Sequence, residues 1–181
     1  ESNDYPFKKI CDHEKEKEKV INTMERNLKN WKIFSKELGF KLIFILQPYA
    51  TWINKELSTE EKELFNILDN AESDYKTLAK KVDDKHLWLS SRLSDICDKE
   101  GIEFHDMNHL LKQEKIDNKW IFVDRIHMTD LGYRYCANII NELIKSLFVM
   151  DEFILTITGS SLFHFPLHNA KCICSLFVCT T

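Results

Sequence analysis

Asp124 and His127 stand three residues apart in the segment Phe122-Val123-Asp124-Arg125-Ile126-His127-Met128-Thr129-Asp130-Leu131-Gly132-Tyr133. On a bend, that spacing turns both side chains to one side. A carboxylate bonded to one imidazole nitrogen fixes the tautomer and leaves the other nitrogen free to take a proton from a hydroxyl. The pair therefore has the chemistry of two thirds of a Ser-His-Asp hydrolase triad. The plainer alternative makes Asp124 a turn cap and His127 a partly buried loop residue.

Other constellations carry less chemistry. His105 and His109 have the i, i+4 spacing of a helical metal pair, but no third ligand has a fixed position, so a structural use is expected. His164, His168, Cys172, Cys174 and Cys179 match no common zinc spacing. Neither a metal nor a cofactor is expected. Gln47 either lines a pocket or serves as a turn residue before Pro48. Trp31, Trp52, Trp88 and Trp120 read as core or pocket wall, since no basic residues interleave them as on a nucleic-acid stacking surface.

The elements that must position these residues follow from periodicity. A charged run over 12–19 leads into Val20, Met24, Leu28, Trp31, Phe34 and Leu38, a helical spacing that Gly39 ends. Lys41-Leu42-Ile43-Phe44-Ile45-Leu46-Gln47-Pro48 reads as a strand buried on both faces, the kind found in parallel sheets. Ser58-Thr59-Glu60-Glu61 has the form of a capping box. It opens a helix through Leu64, Leu68, Ala71, Tyr75, Leu78 and Val82. A second helix covers about 85–99 and stops at Gly101. Ile102-Glu103-Phe104 is a short strand, and Trp120-Ile121-Phe122-Val123 is a strand or an extended approach to Asp124. Thr129 caps a last helix carrying Cys136, Ile139, Ile140, Leu143 and Leu147 on one side.

Strands alternating with helices predict an α/β sandwich with a mostly parallel sheet, where ligands sit at the carboxyl ends of strands. Gln47-Pro48, His105-Asp106 and Asp124–His127 all fall at such ends. Residues 149–181 form an apolar tail rich in Phe and Cys. Asp151 and Glu152 break its apolar run, so no membrane span is expected; a β-hairpin turning at Gly159-Ser160 is.

Composition bounds the rest. At 181 residues the chain has room for one domain with a sizeable core. Charged residues make up 30% with a net charge of only -4, which gives nucleic acid no basic field to bind. Of the six cysteines, Cys11, Cys97 and Cys136 sit in apolar or helical contexts, as free core thiols do. The opening Glu1-Ser2-Asn3-Asp4 has neither Met nor an apolar signal, as in a processed product or a fragment. Localisation and oligomeric state are not legible.

The segment Phe-Val-Asp-Arg-Ile-His-Met-Thr-Asp-Leu-Gly-Tyr, followed by an apolar helix, resembles the last block of the SGNH/GDSL hydrolases. In that block an Asp-x-x-His pair precedes a Thr/Ser-x-x-Gly helix start. The order of upstream elements agrees, and the resemblance covers roughly 1–148. It implies a flavodoxin-like three-layer α/β/α sandwich, incomplete at its N-terminal side. It also implies hydrolysis of a small-molecule, carbohydrate or lipid acyl ester, with His127 as base and Asp124 orienting it. The family's Gly-Asp-Ser nucleophile block is not in the chain, and Gly159-Ser160-Ser161 comes after the His, the wrong order. The family's Gly-x-Asn-Asp block is similar to Glu1-Ser2-Asn3-Asp4, which implies Asn3 as an oxyanion donor. The chain is thus expected to carry the His-Asp part of an esterase without its serine. The alternative is a non-catalytic α/β interaction domain with structural Asp124 and His127.

Overall fold

Helix α1, His13–Leu38, and strand β1, Lys41–Leu46, form where the sequence puts them, with Gly39 between. The computed structural model describes residues 13–71, 73–148, 155–156 and 175–180. The face that α1 buries differs from expectation at its C-terminal end. Ile21, Leu28 and Ser35 face inward at seven-residue intervals, whereas Phe34 and Leu38 are 55% and 71% exposed. A seven-residue step nearly completes two helical turns, so the stripe from Leu28 runs through Ser35 and leaves Phe34 outside.

β1 is buried from Leu42 to Leu46. Alternation sends Ile43 and Ile45 into one apolar cluster and Leu42, Phe44 and Leu46 into another, one on each face of the strand. The second cluster is completed by Ile21 and Leu28 of α1 and by Leu89, Leu93, Ile96 and Cys97. Those last four belong to helix α5, His86–Glu100. The first cluster draws on four helices: α2 (Ala50–Ile53), α3 (Thr59–Ala71), α6 (Met107–Lys112) and α7 (Asp130–Phe148). Fully burying a side chain such as Phe44 contributes about 2–3 kcal/mol.

The helix expected after the capping box is helical on both sides of residue 72, as α3 and as α4 (Ser73–Asp83). Residue 72 between them, and the side chains of Tyr75 and Leu78, lie outside the described residues. Gly101 closes α5 in the left-handed region at φ 62, with Ile102 N–H donating to Cys97 O at 2.8 Å. That closure costs an L side chain strain but not glycine.

Strand β2, Glu103–Asp106, follows and pairs parallel to β1, with Leu46 beside Asp106. The expected strand at 102–104 is therefore shifted by one or two residues. β4 (Ser175–Thr180) runs antiparallel along the other edge of β1, and β3 (Leu155–Thr156) pairs antiparallel with β4. The order is β2-β1-β4-β3. The chain is α/β, and its sheet is mixed rather than mostly parallel: the β1–β2 crossover runs through helices, and the tail strand enters in the opposite direction. The turn expected at Gly159-Ser160 lies outside the described residues. Among the described residues, no helix is long and apolar enough to cross a membrane.

Candidate active site

Phe122 and Met128 form an isolated antiparallel bridge, and Val123 N–H donates to His127 O at 3.0 Å. Segment 120–123 is thus the first arm of a tight hairpin, not a strand of the sheet. Phe122 and Met128 point into the core. Val123 and His127, opposite each other one step further on, point outward, and the His127 side chain is 67% exposed.

Asp124 acts at both ends of this hairpin turn. Its Oδ1 accepts from the backbone N–H of Ile126 and of His127, each at 2.7 Å. Its Oδ2 lies 2.7 Å from His127 Nδ1. The two alternatives for Asp124 are therefore compatible: one oxygen caps the turn and the other orients the imidazole. Burial acts to raise the Asp124 pKa. The His127 N–H, the His127 imidazole and the Ile126 N–H together outweigh it and hold the carboxyl below its ordinary value. An ionised carboxylate only accepts, so Nδ1 carries the hydrogen, and in the neutral imidazole Nε2 then holds the lone pair. Among the described residues, nothing hydrogen-bonds to Nε2.

The turn is anchored to the carboxyl end of β1. Gln47 Nε2 donates to Ile126 O at 3.3 Å, and Ala50 N–H donates to Arg125 O at 2.9 Å. Gln47 thus supports the hairpin backbone. The Arg125 side chain packs on α3. Its Nη2 lies 2.7 and 2.9 Å from the two Asp69 oxygens, and its guanidinium sits 5.2 Å from the Phe65 ring centroid.

A second His-Asp pair, not evident in the sequence, is linked to the Asp124–His127 hairpin through Asn108 and Gln47. His86 Nε2 is 2.7 Å from Asp106 Oδ2, and the Trp52 ring stacks on the imidazole at 4.9 Å. Asp106 Oδ1 accepts from Asn108 N–H and from Asn108 Nδ2, both at 2.9 Å. Asn108 Nδ2 also donates to Gln47 O at 3.2 Å, and its Oδ1 accepts Tyr49 N–H at 2.7 Å. Gln47, Asp106 and Asp124–His127 are therefore joined at the carboxyl end of the parallel pair, as expected. The only available signal for His86 was the strand-end position of Asp106, because its partner is twenty residues away. The two side chains are only 17% and 11% exposed, so this pair is a stitch between α5 and β2 rather than a second base.

Burial acts to raise the Asp106 pKa, but hydrogen bonds from Asn108 and Ser90 and the charge on His86 hold it below the ordinary carboxylate value. Its ionisation therefore stabilises the fold above the unfolded pKa of about 3.9, and the effect is lost as pH falls through the lower folded value. The urea midpoint should drop on acidification below about pH 4. Asp106→Asn should flatten that drop, and an unchanged slope in the variant would reject the assignment.

The remaining candidates do not join the site. His105 pairs with Glu103 at 2.8 Å, and His109 on α6 bonds to Gln113, the C-cap of that helix. His105 is in a strand, so the two histidines are not a helical pair. Among the described residues, no group of three or more His, Cys, Asp or Glu side chains is placed to hold a metal. Burial pushes the Cys97 and Cys136 thiols up to about 12, and both are free. Burial, with Asp83 next in weight, raises the Tyr49 phenol to about 12. Trp31, Trp52 and Trp88 pack against the core, and Trp120 is partly exposed with its Nε1 donating to Phe122 O. Asn3, Cys11, Gly159-Ser160-Ser161, His164, His168, Cys172 and Cys174 lie outside the described residues, as does the Cys179 side chain.

No protein-family model matches the chain, and no curated protein does.

Proposed function

We propose that Asp124 and His127 are the orienting acid and general base of an SGNH-type ester hydrolase, built on a flavodoxin-like three-layer sandwich. The observation that carries this reading is the Asp124 carboxylate. It fixes both the hairpin backbone and the Nδ1–H tautomer of an imidazole that is mostly exposed. Helix-borne apolar clusters on both faces of β1 support the layered fold.

In the proposed reaction, Nε2 takes the proton of a serine hydroxyl as its Oγ bonds to the ester carbonyl carbon. The tetrahedral oxyanion collapses, the C–O bond to the alcohol breaks, and the alkoxide takes the proton from Nε2. Nε2 then deprotonates a water that attacks the acyl-enzyme, and the serine recovers its hydrogen. Asp124 stays ionised throughout. Asn3 is the oxyanion donor in this proposal. The substrate class is an acyl ester of a small molecule, carbohydrate or lipid.

The serine belongs to a segment preceding Glu1 in this reading. A Gly-Asp-Ser after an apolar strand in the upstream coding sequence is expected. The polypeptide that includes it should label covalently with a fluorophosphonate, at that serine, and the label should disappear in His127→Ala. Labelling that persists at full rate in His127→Ala would reject the pair as the base.

A non-catalytic interaction domain is the second reading. In it the Asp124 carboxylate serves as a turn cap, accepting Ile126 and His127 N–H at 2.7 Å each. An in-frame stop directly upstream of Glu1 would select it.

A further inference from the structure

We infer that Glu61 is a positioning residue of the Asp124–His127 site, acting through the hairpin backbone; this rests on the reading of that site as catalytic. A capping box needs one carboxylate oxygen, to accept the N-cap N–H. Glu61 Oε2 fills that role with Ser58 N–H at 2.9 Å, and Ser58 Oγ accepts Glu61 N–H in return at 3.3 Å. The other oxygen reaches across the chain. Glu61 Oε1 accepts the backbone N–H of Ile121 and of Phe122, both at 2.9 Å.

Those two amides lie in the first arm of the catalytic hairpin, which has no sheet neighbour among the described residues. Ile121 and Phe122 are fully buried, so their N–H groups need an acceptor inside the protein. The Glu61 carboxylate accepts those amides as a neighbouring strand would. Lys55 completes the arrangement. Its Nζ pairs with Glu61 Oε2 and donates to Lys119 O at 2.9 Å and Glu56 O at 3.2 Å. The Glu61 and Lys55 side chains are 0% and 2% exposed.

Four donors thus converge on two oxygens: two amides on one and an amide with an ammonium on the other. Only a carboxylate accepts at both ends. Glutamine has one acceptor oxygen, so in either orientation its NH₂ faces two donors. The hairpin end is the less supported half, because the Ser58 half also has the helix to hold it.

The two His-Asp pairs supply an internal control. Each imidazole N–H bonded to a carboxylate gives a low-field proton resonance, one for His127 and one for His86. In full-length Glu61→Gln, the His127 resonance should broaden or vanish and the His86 resonance should remain. Amide exchange at Ile126 and His127 should rise about ten-fold or more. Both resonances unchanged, with unchanged exchange, would overturn the inference and leave Glu61 as a helix cap alone.

If Glu61→Gln does not fold, exchange in the unsubstituted protein decides. Ile121, Phe122, Ile126 and His127 amides opening with a common equilibrium constant support the positioning role. Ile126 and His127 opening about a hundred-fold more readily than Ile121 and Phe122 would overturn it. Failure of the catalytic reading registers separately, as a serine-bearing protein without ester activity whose exchange coupling to Glu61 is intact.

Discussion

In the serine-bearing protein, His127→Ala should lower kcat for an aryl ester by about 10⁶-fold and Asp124→Asn by about 10⁴-fold. Both variants should fold. The His127 side chain is mostly exposed, so its truncation should change stability by no more than about 0.5 kcal/mol. Asparagine at 124 can keep the turn, because its carbonyl oxygen still accepts from Ile126 and His127 N–H. The loss is at the other atom. The amide NH₂ then faces His127 Nδ1, which must become an acceptor, and the hydrogen moves to Nε2. An imidazole protonated at Nε2 cannot take the serine proton. The two effects therefore separate catalysis from folding: kcat falls while the denaturation midpoint stays. Full activity in His127→Ala would reject the base assignment.

Much of this arrangement was readable because it is written locally. The Ser58–Glu61 box, the buried run in β1, and Thr129 before α7 each lie within a few residues of what they specify. The Asp124–His127 pair is equally local, and its geometry is the one the spacing implied. What the sequence did not reveal depends on atoms brought together from far apart. The second oxygen of Glu61 meets amides sixty residues on, and nothing in a capping box indicates that it will. His86 finds Asp106 only because the parallel register of β1 and β2 brings Asp106 beside α5. Short α6 is set by Asp106 capping it through Asn108 N–H, too brief a pattern for periodicity to reveal. The direction of β4 is likewise fixed by pairing rather than by composition. The 120–123 run reads as a strand from its apolar residues, but its hydrogen bonds go to a side chain and to a hairpin.

Gly132→Ala should destabilise the fold by about 2 kcal/mol, a result opposite in sign to what helix propensity gives. Within an exposed helix, Gly→Ala gains up to about 1 kcal/mol. Here a Cβ would lie 2.6 Å from Ile121 O, 2.8 Å from Met128 Cβ and 3.0 Å from Ile121 Cγ2. The first of these is backbone and has little freedom to retreat. Ile121 O already accepts Thr129 N–H at 2.8 Å, and Ile121 N–H is held by Glu61. Moving α7 outward instead would stretch the Thr129 cap, whose Oγ1 accepts Gly132 N–H at 3.2 Å and donates to Trp120 O at 2.9 Å. Overpacking of this kind costs about 3 kcal/mol, which outweighs the propensity gain. The midpoint of thermal unfolding should fall by about 4–8 °C; a rise would show that the contact relaxes freely. The same contact explains why a Thr-x-x-Gly start suits this helix. The threonine ties the first turn of α7 to the hairpin, and the glycine lets the helix approach the carbonyl of the residue that precedes the bridge. A larger residue at 132 should therefore also disturb His127, and its Nδ1–H resonance should weaken in Gly132→Ala even where the protein remains folded.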